Sequence, residues 1–301
     1  MTDVEAGIAW PKKTREIYKH VIDSTRWNDF VFRDDDIVIS TWAKSGTTLT
    51  QQICAQLVFN GADVYGPNFS PWIDLMVSDG EIPRAVAQTH RRFLKTHLPI
   101  DSIVYSPCAK YIFVGRDGRD TFWSWYNHWA NYTPEDLANA SARHPDEPPI
   151  GYPNPDIRLA FLEWLDTDAY PTVPFFSHMQ GWFDARHLPN LLMLHFNDLR
   201  SDLPGQIRRI AAFLEIDIDP ARFDDIVTHC GLDYMRDKAN QDAEFMKAVF
   251  KDGANTFFHK GTNGRWKDIL TPQDNARYQR EVEQRLSPEC AHWLETGHLL
   301  D

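Results

Sequence analysis

The chain has 301 residues, 43% apolar and 13% aromatic, enough to bury a sizeable core in one or two domains. Its formal net charge of −12 argues against a general nucleic-acid binder, which carries a basic footprint, but leaves room for a local basic pocket that takes a small anion. No apolar run approaches the ~18 residues of a membrane span, the N-terminus has no apolar signal core, and Cys54, Cys108, Cys230 and Cys290 form no C-x-x-C pair. The expectation is a reduced cytoplasmic protein without a metal site, a disulfide staying open.

Strand-like and helix-like segments alternate, the pattern of an α/β fold with a largely parallel sheet. "DIVIST" (36–41) reads as a buried strand that runs through a polar loop into a helix. Leu49, Ile53 and Leu57 give that helix one apolar face and Gly61 marks its stop. "RFLKTH" (92–97) is a second strand and "KYIFVG" (110–115) a third, followed by the turn "RDGRD" and a helix through Trp129. In that helix Phe122, Trp125, Tyr126 and Trp129 have core spacing. Residues 131–156 are polar and carry six prolines. Neither a core strand nor a long helix fits there, so the segment reads as a surface excursion or as a lid over a site. "LLMLHF" (191–196) is a fourth strand, leading to a helix with the apolar stripe Ile207, Ile210, Ala211 and Leu214. Thr271-Pro272 opens a late helix, with Thr271 as cap and Asp274 in the first turn.

Three segments carry chemistry. "STWAKSGTTLTQQ" (40–52) looks like a phosphate loop, but Lys44 precedes Gly46, whereas in the Walker form the lysine follows the last glycine. A strand, a tight loop and a helix start aim backbone N–H groups at an anion. Gly46 permits close approach, Ser45, Thr47 and Thr48 add hydroxyls, and Lys44 adds charge. A capped helix start with an incidental lysine is the plainer alternative. In "RFLKTHLP" (92–99), Lys95 and His97 leave a strand on the same side. The lysine disfavours the imidazolium, so His97 suits the role of a neutral base, although a histidine at a strand end is more often structural. In "FVGRDGRDTFWSWYNHW" (113–129), Arg116 and Ser124 suit a second phosphate. The alternative for Arg116 is a surface ion pair with Asp117 or Asp120.

Taken together, these segments resemble the cytosolic-type sulfotransferase family, which uses 3′-phosphoadenosine 5′-phosphosulfate. "TWAKSGTTL" is similar to that family's T-Y-P-K-S-G-T-T-W loop and "LKTHLP" to its K-T-H-L-P segment. "VGRDGRDTFWSWY" is similar to its 3′-phosphate segment, and "FHKGTNGRWKDILT" (258–271) resembles its R-K-G-x-x-G-D-W-K-N-x-F-T segment. The four motifs share the family's order and spacing over most of the chain. The resemblance implies a single α/β domain over 1–301 of the P-loop-NTPase-like type, a central parallel sheet flanked by helices on both faces. It implies sulfuryl transfer to an acceptor hydroxyl or amine, with a small alcohol or phenol as partner and no metal. By position, Lys44, Ser45, Gly46, Thr47 and Thr48 hold the 5′-phosphosulfate. Arg116 and Ser124, with His259, Lys260 and Gly261, hold the 3′-phosphate. His97 is the base, and Lys44 and Lys95 stabilise charge.

The sequence departs from the family pattern in several places. Leu49 stands where an aromatic stacks on adenine, His259 replaces an Arg, and Arg265 replaces an Asp. Phe196 falls at an adenine-side Tyr and Cys230 at a Thr. The family's dimer motif K-x-x-x-T-V-x-x-x-E retains only Lys267 and Thr271, with Pro272 and Ala276 at two other places, so a homodimer stays open. Two other readings are a P-loop kinase or NTPase, which needs the lysine after the glycine and an acidic metal ligand, and a nucleotide-binding protein that does not transfer. "NFSPWIDLM" (68–76) is read either as an acceptor-pocket wall or as core.

Overall fold

The structure is a computed structural model and describes residues 7–19, 21–145, 147–241, 243–258 and 261–300. A short antiparallel hairpin, β1 (Tyr18–Lys19) and β2 (Ile22–Asp23), precedes a four-stranded sheet of β3 (Ile37–Thr41), β4 (Phe93–Thr96), β5 (Lys110–Gly115) and β6 (Leu191–His195). The sheet order is β4-β3-β5-β6 and every pairing is parallel, with Ile39 opposite Lys95 and Ile112, and Gly115 opposite His195. All four strands fall where the apolar runs place them.

Parallel strands need crossovers, and helices supply them on both faces. Every residue of β3 is buried, as is β5 from Tyr111 to Gly115. Helix α1 (Thr47–Val58) packs on one face with Leu49, Ile53 and Leu57 buried. It ends three residues before Gly61, whose N–H returns to the Gln56 carbonyl at 2.8 Å. Alternation sends Tyr111, Phe113 and Gly115 to the other face. There Phe113 stacks on Trp182 and its ring nears Trp293, and a Cβ on Gly115 would lie 2.3 Å from the Trp293 ring.

The helices in between are α2 (Glu81–Ala87), α3 (Gly118–Ala130), α4 (Pro134–Ala142), α5 (Ile157–Asp166) and α6 (Phe175–Asp184). After β6 come α7 (Phe196–Ser201) and α8 (Leu203–Leu214), split at Asp202, which caps α8. The α8 stripe Ile207, Ile210, Ala211 and Leu214 is buried. Then follow α9 (Phe223–His229), α10 (Leu232–Gln241), α11 (Ala243–Val249), α12 (Ala254–Phe257), α13 (Pro272–Arg285) and α14 (Pro288–Thr296). Thr271 and Asp274 close a reciprocal capping box at α13.

One expectation needs correction. Residues 131–156 are not a plain loop: α4 lies within them, with Thr133 capping and Pro134 in its first turn, the same signal as at Thr271-Pro272. Leu137, Ala140 and Ile150 are buried, and Thr133 N donates to the Val249 carbonyl at 2.9 Å, so the segment docks on the end of α11.

The sheet edge is held by a buried ion pair, Arg92 with Asp36, in which Nε donates to Oδ1 at 2.7 Å and Nη2 to Oδ2. All four cysteines are free thiols, and only Cys108 is exposed. Among the described residues, no helix is long and apolar enough to cross a membrane.

Candidate active site

The candidate residues gather at the carboxyl ends of β3, β4 and β5, where an open α/β sheet leaves a crevice. Between β3 and α1 the chain turns on two left-handed residues, Lys44 at φ 71° and Gly46 at φ 118°. Glycine adopts this conformation freely and other residues do so at a cost. A Cβ at Gly46 would also come within 3.1 Å of the Phe196 ring. The turn brings the first N–H groups of α1 to the mouth of the loop, where no side chain caps them. The Ser45 hydroxyl is buried and has no hydrogen-bond partner among the described residues. Thr47 and Thr41 share a hydroxyl contact of 2.6 Å. Thr48 is half-buried. Trp42 is fully buried and donates to the Val173 carbonyl at 2.9 Å, which makes it core rather than a ligand platform.

His97 lies past the end of β4, buried, with Nδ1 2.8 Å from the Thr41 carbonyl oxygen. A carbonyl only accepts, so Nδ1 carries the hydrogen and Nε2 presents a lone pair. Burial, with Lys95 adding to it, holds the imidazole well below its usual range, so the ring is neutral near pH 7. Lys95 sits with Nζ 3.8 Å from the centroid of Trp72, and the His97 ring meets the same indole edge-on at 5.0 Å. Burial draws Lys95 down to about 8, while Asp74 and Glu81 hold it up.

Arg116 is buried, contrary to a surface ion pair. Its Nη1 donates to the Lys44 carbonyl at 2.9 Å, tying the strand end to the loop. Nε and Nη2 both donate to Asn263 Oδ1, at 3.1 and 2.6 Å. Its guanidinium stacks on Phe196 at 4.1 Å. Ser124 is half-buried on α3, one turn before His128. His128 meets Lys44, with Nδ1 3.3 Å from Nζ, and the Phe257 ring covers the same ammonium at 4.4 Å. Gly261 has φ 61° and opens the loop that carries Asn263. His259 and Lys260 lie outside the described residues.

Lys44 is the most perturbed cation of the group. Burial, then Arg116 and Lys95, pulls its ammonium down to about 7. Burial likewise lowers Arg116 to about 10. Cations that depress one another in a low-dielectric crevice are poised for a multiply charged anion, whose binding relieves the repulsion.

Residues that sequence reasoning missed are Asp74, His128, Phe257 and Asn263. Asp74 carried a usable signal, a lone carboxylate inside the apolar run "SPWIDLM". His128 and Phe257 were hidden in a general aromatic background.

This arrangement belongs to a known family. The Sulfotransferase domain family matches residues 34–288, and the chain is a member of it. The chain is 32% identical over 314 residues to a glycolipid sulfotransferase of Mycobacterium tuberculosis, covering 95% of this chain and 96% of that one. Two solved structures share its fold. Retinol dehydratase in complex with androsterone and inactive cofactor PAP has a TM-score of 0.68 at 20% identity, covering 88% of this chain and 84% of that one. A mouse sulfotransferase complexed with PAP has a TM-score of 0.67 at 20% identity, covering 89% and 90%. The fold is the sulfotransferase fold, a parallel sheet with flanking helices.

Proposed function

We propose that this chain is a single-domain enzyme that moves a sulfuryl group from 3′-phosphoadenosine 5′-phosphosulfate to an acceptor hydroxyl, with His97 as general base. The observation that carries the reading is the fixed tautomer of His97. With Nδ1–H donated to Thr41, a neutral Nε2 can take the proton of an attacking hydroxyl. The acceptor oxygen forms a bond to sulfur as the bond from sulfur to the bridging phosphate oxygen breaks. The electron pair stays on that oxygen, and the acceptor proton goes to Nε2.

The residues fit the donor. The orphaned Ser45 hydroxyl, the uncapped N-terminus of α1 and Lys44 offer hydrogen bonds and charge to a phosphosulfate. Arg116 offers a guanidinium fork whose two donors now rest on the Asn263 carbonyl oxygen, a neutral acceptor that a phosphate outcompetes. Ser124, on the helix that follows Arg116, and the segment His259, Lys260 and Gly261 complete the assignment of the 3′-phosphate. No step needs a metal, since lysines and backbone donors neutralise the developing charge by analogy with phosphoryl transfer.

For the acceptor we favour an alcohol on an apolar carrier. The glycolipid sulfotransferase relative and the wall "NFSPWIDLM" support this class, which spans lipid-linked sugars and flat hydrophobic alcohols. The setting we assign is cytoplasmic. The test is a panel of glycolipids, sterols and phenols incubated with donor labelled in the sulfuryl group. Label transferred to one of these classes supports the reading. Release of inorganic phosphate from a nucleoside triphosphate, with no transfer of label, would replace it with the NTPase alternative.

A further inference from the structure

Asp74 is fully buried, and its side chain is surrounded by donors. Trp27 Nε1 donates to Oδ1 at 3.1 Å and Trp72 Nε1 to Oδ2 at 2.8 Å. The His97 backbone N–H points at Oδ2 from 3.4 Å, and the Thr96 hydroxyl donates as well. An amide side chain has one acceptor oxygen and would turn its NH2 against one of these donors, so a carboxylate is the group that satisfies them all. Among the described residues no lysine or arginine pairs with Asp74 at salt-bridge distance. A buried carboxylate without an ion-pair partner is costly to keep for packing alone.

The indole that Asp74 orients is the one that meets both Lys95 and His97. Trp72 is fixed a second time through its backbone, where its N–H donates to Glu81 Oε2 at 2.7 Å. Lys95 N donates to the Pro71 carbonyl at 2.8 Å, so residues 71–72 run as a short rung beside β4. We propose that Asp74 is a positioning residue of the transfer site: through Trp72 it fixes the Lys95 ammonium and the His97 ring relative to each other, and its charge keeps Lys95 protonated where His97 is neutral. This rests on the roles given above to His97 and Lys95.

The electrostatics follow from the same contacts. The charged and titratable groups that face Lys95 are Asp74 and Glu81 on one side and Lys44 and His97 on the other. The working window of the site runs from the point where His97 becomes neutral to the point where Lys95 loses its proton. Without Asp74 the upper edge moves down, because burial then acts on Lys95 with only Glu81 to oppose it.

The experiment is a titration of Lys95 in the full chain by NMR of 13C-labelled lysine, the signal being assigned by its loss in Lys95→Met. Calorimetry with 3′-phosphoadenosine 5′-phosphate runs alongside. We expect the Lys95 midpoint to lie near about 8 in the unsubstituted chain and to fall by on the order of one pH unit in Asp74→Asn. The alkaline limb of sulfuryl transfer should move with it. An unchanged midpoint in Asp74→Asn, in a chain that still binds the nucleotide, overturns the inference and leaves the donor reading standing. An unsubstituted chain that binds no nucleotide overturns the donor reading and this inference with it. If Asp74→Asn does not fold, Trp72→Phe decides, since it keeps the ring and deletes the Nε1 donor. It should lower kcat roughly tenfold at unchanged nucleotide affinity, and an unchanged kcat there overturns the inference.

Discussion

Nucleotide binding should take up a proton at Lys44. The ammonium is drawn down to about 7 by burial and by Arg116 and Lys95, so at pH 8 roughly ten chains in eleven carry it neutral. A bound 5′-phosphate favours the charged form and restores the proton. Binding 3′-phosphoadenosine 5′-phosphate at pH 8 should therefore take up about 0.9 proton through this group, and above pH 7 the affinity should fall about tenfold per pH unit on its account. The ligand's phosphates are already ionised in that range. Calorimetry in buffers of different ionisation enthalpy counts the protons. Lys95, drawn down to about 8, contributes its own part, so the quantity to read is the difference between the unsubstituted chain and Lys44→Met. A difference close to one proton fits the argument. Equal uptake in the two proteins would refute the placing of Lys44 against the phosphate.

Three further outcomes follow from the same geometry. Arg116→Ala should weaken binding of the bisphosphorylated nucleotide roughly 10- to 100-fold, the worth of one charge-assisted fork, and leave adenosine 5′-phosphosulfate, which lacks the 3′-phosphate, nearly unaffected. Equal losses for both ligands would move Arg116 away from the 3′-phosphate. Because His97 is held well below its usual range, transfer should stay at full rate down to pH 6.5 and decline only below it, as the base gains a proton. An acid limb centred at 6.5 or above in the pH–rate profile contradicts a buried neutral base. Arg92→Met leaves Asp36 buried without its partner at the sheet edge and should cost about 3–5 kcal/mol in urea unfolding.

The sheet is legible in the sequence because all four strands are buried on both faces, so each appears as a short continuous apolar run next to a turn signal. "DIVIST" and "KYIFVG" are the clearest cases. The loop is legible because a glycine between a strand and a helix has few other uses, and Gly46 has the left-handed φ that the turn requires. What stays hidden depends on distance in the chain. Nothing local says that Asn263 fills the fork of Arg116, 147 residues away, or that Phe257 covers Lys44. The helix at Pro134–Ala142 was missed for a different reason. Its proline-rich surroundings outweighed a Thr-Pro start that reads correctly at Thr271-Pro272. Leu49 is a buried residue of α1, which accounts for its apolar character and offers adenine no aromatic face.

The central claim is that neutral Nε2 of His97 receives the acceptor proton. Its most direct test is single-turnover transfer of labelled sulfuryl from 3′-phosphoadenosine 5′-phosphosulfate to an acceptor taken from the panel, in the unsubstituted chain and in His97→Ala, at matched saturation with donor. The account predicts a rate lower by roughly 10²- to 10⁴-fold in His97→Ala, with donor affinity retained. Transfer by His97→Ala at the unsubstituted rate would contradict it.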